Sequence, residues 1–137
     1  MKEIPVGAKG RFTLIVKPEH LANRFKDAML PPVLATPVMI MAMENAALNA
    51  IKAYLEPGES AVGTRVDIRH RAVTPVRATV VAEAEVTRVD GRRIEFTVRA
   101  ADDSEEIGTG THERMIIDVA RLMKRLGAKR SKLEGPS

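Results

Sequence analysis

Pro37-Val38-Met39-Ile40-Met41-Ala42-Met43-Glu44-Asn45-Ala46-Ala47-Leu48-Asn49-Ala50-Ile51 decides how this chain folds. Met39, Met43, Ala46, Ala50 and Tyr54 fall on one helical face, and Ile40, Ala47, Ile51 and Leu55 fall on another. A helix apolar on nearly all sides has to be wrapped by other structure. The exception is Glu44. A lone carboxylate in such a helix costs several kcal/mol (about 2–7 for an uncompensated polar group) unless it is paired, hydrogen-bonded or protonated. It is kept either for a satisfied core hydrogen bond or for chemistry.

The flanks of the stretch give its limits. Thr36-Pro37 opens the helix, with Thr suited to the cap and Pro to the first helical position. Pro57-Gly58 closes it. Upstream, Leu21, Phe25 and Ala28/Met29 predict a helix over 19–30, stopped by Pro31-Pro32. Before that, Phe12, Leu14 and Val16 alternate with polar residues and predict a first strand. Downstream, the apolar period changes to two. Val62, Thr64, Val66, Ile68 and His70 share one face of a strand that Pro75 ends. Val80, Ala82, Ala84 and Val86 mark the next strand. Asp90-Gly91 is a hairpin signal, and Ile94, Phe96, Val98 and Ala100 mark the return. Asp102-Asp103-Ser104 turns the chain into a last strand over 107–117. Val119, Leu122, Met123 and Leu126 then predict a short helix closed by Gly127.

Hairpin connections make the sheet antiparallel. One curved antiparallel sheet wrapped around the long central helix covers the apolar helix and uses every strand, giving an α+β fold. Such a sheet leaves edges, and pairing them across a two-fold axis protects them.

With 137 residues, no linker and no internal repeat, residues 1–137 read as a single domain. There is no Cys, which excludes disulfides, thiolate metal sites and a Cys nucleophile. No signal peptide shows in Met1-Lys2-Glu3-Ile4-Pro5 and no apolar run approaches a membrane span, so cytoplasm is the expected compartment. The net charge of +4 is a property of the tail. Residues 121–132 carry six basic residues and no acid, leaving 16 basic against 18 acidic residues elsewhere, a net −2. With 3% aromatic residues, stacking platforms for nucleic acid are scarce, so the basic C-terminal tail from about 121 reads as solvated and partly frayed. No nucleic-acid, membrane, metal or cofactor partner is expected.

His70 is the second anomaly, because counting by two from Val66 and Ile68 turns it towards the helix. It is either a neutral histidine satisfied in the core or a general acid or base. Thr36 is the third candidate. Capping accounts for it, yet a helix N-terminus also offers free amides and positive potential suited to a carbonyl oxygen. Eight residues of helix, about 12 Å, separate Thr36 from Glu44. A substrate or water lies between them, or a second chain donates one of the groups. His20 and His112 have no comparable setting, since His112 alternates with Thr111 and Glu113 in a mixed strand. Walker, dinucleotide, HExxH and GxSxG signatures are absent. Gly108-Thr109-Gly110-Thr111 falls within a predicted strand, where close backbone packing explains it.

The segments Tyr54-Leu55-Glu56-Pro57-Gly58-Glu59, Gly63-Thr64, His70, Thr74-Pro75, Val89-Asp90-Gly91-Arg92-Arg93 and Glu106-Ile107-Gly108-Thr109-Gly110-Thr111-His112-Glu113-Arg114 closely resemble the hotdog-fold thioesterases related to fluoroacetyl-CoA thioesterase. The resemblance runs from about residue 7 to 117. It implies a hotdog fold, a homodimer or dimer of dimers, and hydrolysis of a small acyl-CoA thioester. It implies a catalytic Thr, Glu and His at Thr36, Glu44 and His70, and a site glycine at Gly63. The fluoroacetyl-specific member uses a lid phenylalanine, where this chain has Leu30 and Phe25 is out of register. The resemblance therefore carries over thioester hydrolysis without fluoroacetyl specificity. Arg69 and Arg71 flank the site and suit the CoA phosphates. The alternatives are a non-catalytic acyl-CoA-binding module and an enoyl-CoA hydratase on the same fold.

Overall fold

The computed structural model describes residues 1–135. Strand β1 (Lys9–Ile15) is followed by a 3-10 turn, a one-turn helix α1 (Ala22–Phe25) and the central helix α2 (Thr36–Ile51). Strands β2 (Glu59–His70), β3 (Thr79–Asp90), β4 (Arg93–Ala101) and β5 (Glu106–Asp118) come next, and helix α3 (Val119–Glu134) is the last described element. All pairings are antiparallel and the strand order is β1-β3-β4-β5-β2. The α+β reading and the central helix stand.

Helix α2 buries Val38, Met39, Ala42, Met43, Ala46, Ala47, Ala50 and Ile51. The alternating residues of the sheet meet it: Val80, Ala82, Ala84 and Val86 from β3, and Ile94, Phe96, Val98 and Ala100 from β4, are all buried. Small residues set how closely the layers approach. A Cβ on Gly10 would collide with the backbone of Ala46 and Ala50, so α2 lies directly on β1 there. Forcing a methyl group into that contact costs about 1–3 kcal/mol. Gly108 and Gly110 do the same on β5. An added Cβ would press on Met39 of α2 at Gly108 and on the Asp67 backbone of the neighbouring strand β2 at Gly110, the close packing expected of that segment.

Four local expectations are corrected. Residues 19–30 do not form one helix. Leu21 bridges to Leu34, and the Ala22 amide donates to the Val33 carbonyl, so long-range pairing takes the backbone groups a helix would need. Residue Thr36 is the first helical residue, with Ala35 at the cap. Strand β2 carries a bulge between Gly63 and Arg65, with Gly63 paired to Arg114 and Arg65 to Glu113. The extra residue, Thr64, reverses the side-chain alternation, so Val62 and Thr64 do not share the face of Val66, Ile68 and His70. Gly63 joins that face instead. Finally, the basic tail is helical to Glu134, and Gly127 does not end it.

The helix is also less enclosed than its composition implies. Ile40, Met41, Glu44, Asn45 and Leu48 are only half-buried and form one flank. Strand β2 is a sheet edge, with Val62 and Val66 exposed.

Candidate active site

The candidate residues form two groups at different points along α2. The first lies at its start. Thr36 Oγ1 and His70 Nδ1 share a hydrogen bond of 2.8 Å. The hydroxyl makes no capping bond, so its partner is His70. His70 Nε2 is buried and has no hydrogen-bond partner among the described residues. Burial holds the ring below its ordinary pKa near 6.5, and the nearby Ala72 backbone offsets this only in part. Leu30, Val33, Thr36, His70, Lys26 and Arg71 line a cavity of about 350 Å³ beside the pair. Arg69 is not on its wall, because it sits one residue before His70 and faces the other side of the strand.

The second group lies two turns further along. Glu44 is 37% exposed, with Oε2 4.0 Å from an Arg114 guanidinium nitrogen. It therefore sits on the open flank, not in a dry core. Across from it is Gly63. A Cβ there would stand 3.0 Å from Glu44 Oε2, 3.3 Å from His112 Cε1 and 3.7 Å from the Arg114 guanidinium. The φ of Gly63 is not positive, so glycine is needed here for space and not for conformation. Gly63→Ala should lower kcat/KM about tenfold or more by displacing the carboxylate. Its melting temperature should stay near that of the parent. A variant with parental kcat/KM would show that the space beside Glu44 is not used.

The sequence reading missed His112 and Arg114. Both are buried on the inner face of β5. The signal was the register: β5 alternates Gly108, Gly110, His112, Arg114 and Ile116 towards the helix, so His112 shares parity with the packed glycines. His20, by contrast, accepts the Lys17 amide at 2.9 Å and closes a local turn. A wider trough of about 410 Å³ on the outer sheet face is lined by charges already paired with one another, Lys9 with Glu85 at 3.6 Å and Arg99 with Glu83 at 3.2 Å.

Strand order and the single long helix beneath the sheet define the class, a hotdog fold of the thioesterase superfamily. A Thermus thermophilus hypothetical protein, a thioesterase superfamily member, matches with a TM-score of 0.91 at 30% identity over 98% of each chain. A fluoroacetyl-CoA thioesterase variant solved in complex with acetyl-CoA matches with a TM-score of 0.89 at 35% identity, over 93% of this chain and 99% of that one. Fluoroacetyl-CoA thioesterase from Streptantibioticus cattleyicolor is 42% identical over 102 residues, 74% of this chain and 73% of that protein. The profile of the family described as fluoroacetyl-CoA-specific thioesterase matches residues 16–120. The chain belongs to this family and is a thioester hydrolase of the acyl-CoA thioesterase type.

Proposed function

We propose that the chain hydrolyses small acyl-CoA thioesters at a composite site made by two copies of itself. The observation that carries this reading is the separation of the two groups on one chain, with an exposed strand edge between them. Thr36 and His70 share no hydrogen bond with Glu44, and neither supplies any of the three nearest atoms that a Cβ on Gly63 would meet. Edge strands left open invite pairing. A second β2 placed antiparallel about an axis at Asp67, with Thr64 taken up by the bulge, sets Gly63 of one copy opposite His70 of the other. That brings Glu44 of one copy to the Thr36–His70 pair of its neighbour. The half-buried flank of α2 around Ile40, Met41 and Leu48 is covered in the same step. Pairing of such dimers through another face would give a dimer of dimers.

The chemistry follows from the groups assembled. Amides at the start of α2, with the Thr36 hydroxyl, polarise the thioester carbonyl. Glu44 either attacks that carbonyl, breaking the C–S bond to release the CoA thiolate and leave an anhydride that water then hydrolyses, or takes a proton from the water that attacks directly. His70 moves the proton between Thr36, water and the departing thiolate. The acyl group occupies the cavity closed by Leu30, and Arg71 on its wall offers a cation to the CoA phosphates. The enzyme acts in the cytoplasm on this reading. Among the described residues, no helix is long and apolar enough to cross a membrane.

A panel of short, branched and aryl acyl-CoAs with a thiol reagent tests the reading. Free CoA should appear fastest with a short-chain ester. Fluoroacetyl-CoA should show no marked preference over acetyl-CoA, because Leu30 replaces the lid aromatic. Light scattering on the same sample at micromolar concentration should give a dimer or a multiple of one. An active monomer would refute the composite site.

A further inference from the structure

We infer that His112 is a positioning residue for this reaction, holding the Arg114 guanidinium that in turn holds the Glu44 carboxylate; the inference rests on the reading of Glu44 as the reacting acid. His112 lies on the inner face of β5 and is 2% exposed. Its ring stacks on Phe96, its cross-strand partner on β4, with centroids 5.8 Å apart and planes inclined by 24°. Both ring nitrogens are engaged. Nδ1 lies 2.8 Å from the Arg65 carbonyl oxygen on β2, and Nε2 lies 3.2 Å from the Arg114 guanidinium.

These partners fix the tautomer. A carbonyl oxygen only accepts, so Nδ1 carries the proton. A guanidinium only donates, so Nε2 presents its lone pair. The ring is therefore neutral, and it serves as an acceptor for a cation. A protonated ring would set an N–H against the guanidinium N–H. Burial keeps the ring neutral by lowering its pKa, and the Arg114 charge adds to this. The Arg65 carbonyl, Glu44 on α2 and Glu113 on β5 oppose that shift without reversing it.

Arg114 is 9% exposed and is gripped at two points. One terminal nitrogen donates to the Ala61 carbonyl at 2.7 Å, and the other donates to His112. Its Nε has no hydrogen-bond partner among the described residues. The nitrogen bound to His112 is the one that faces Glu44 at 4.0 Å. The pair is thus aligned through the histidine, since Glu44 itself does not bond the guanidinium at hydrogen-bond distance. Removing the Nε2 acceptor leaves the guanidinium one anchor and frees it to swing. The carboxylate beside Gly63 then loses its fixed counter-charge.

Two substitutions separate positioning from mere packing. In His112→Gln the side-chain amide reaches the place of Nε2 and can still accept from Arg114. In His112→Asn the amide stays near Nδ1 and offers Arg114 nothing. With the fastest acyl-CoA of the panel, His112→Asn should lower kcat about tenfold to hundredfold. Its KM should change by less than about threefold, and His112→Gln should recover most of the rate. In an Arg114→Met background, His112→Asn should add no further loss, because the residue through which it acts is gone. Should Arg114→Met fail to fold, Arg114→Lys replaces it, since a single ammonium cannot span both anchors. Equal losses in the Asn and Gln variants, a parental kcat in His112→Asn, or an undiminished effect in the Arg114 background would each overturn the inference. Glu44→Gln, assayed alongside, keeps the two ideas apart. If it remains active, the reading of Glu44 falls and the inference with it. If it is inactive while His112→Asn runs at full rate, the positioning role alone is overturned.

Discussion

Glu44→Gln is expected to abolish turnover, by about 10³-fold or more, while the protein still folds and binds acyl-CoA. The amide has nearly the same shape and has neither the basicity nor the nucleophilicity of the carboxylate. The competing role for Glu44 is a structural ion pair with Arg114. That role is weak on geometric grounds: the separation is 4.0 Å and the carboxylate is more than a third exposed. Pairs of this kind contribute about 0–1 kcal/mol once solvent screening is allowed for. The substitution should therefore lower the melting temperature only slightly. Calorimetric titration with CoA and a single-turnover assay on one preparation measure binding and chemistry separately. Parental turnover would return Glu44 to the role of a modest partner for Arg114.

His70→Ala is expected to cut the rate by roughly 10²–10⁴ and to remove the acid limb of the pH profile. Burial lowers the pKa of His70, so this limb lies below the ordinary histidine value of 6.5. The same shift has a consequence for stability. The unfolded chain takes up the proton near pH 6.5 and the folded one resists it to lower pH. Stability is thus fully present above that value and declines as pH falls through the folded pKa. His112, also lowered by burial, contributes a decline of the same sign. If His70 only fills space, His70→Ala should melt earlier yet keep its rate and pH profile. Melting temperature and turnover from one sample decide the matter.

Much of the frame was legible because its signals were local. The inward residues of β3 and β4 keep a clean period of two, and α2 is apolar enough that nothing but a wrapping sheet could accommodate it. The failures come from contacts distant in sequence. Leu21, Phe25 and Met29 have helical spacing, but the bridge from Leu21 to Leu34 overrides it. Gly127 suggests a stop, yet its neighbours continue as helix, where a glycine costs only about 1 kcal/mol. His112 has polar sequence neighbours, although its ring packs on Phe96 and bonds the Arg65 carbonyl from across the sheet, with Arg114 two residues along its own strand. Thr36, Glu44, His70 and Gly63 were each visible as residues out of keeping with their surroundings or by family likeness. The separation of Thr36 from Glu44 was legible in the helical rise alone; that Gly63 joins Glu44 was not, because it depends on the bulge in β2.

The bulge at Thr64 bears on how this edge tolerates change in length. Gly63 and His70 are seven residues apart, an odd number, and in an unbroken strand they would point to opposite sides. One supernumerary residue turns both towards the helix. Losing Thr64 itself would remove the bulge and leave an even interval of six, so both would still face the helix, whereas losing a residue elsewhere between them with the bulge kept would rotate one of them away. Insertions and deletions between the two positions are admissible only when the interval, less any bulged residue, stays even. An odd interval between two inward-facing residues on one strand is thus a mark, readable in an unaligned sequence, that a bulge lies between them.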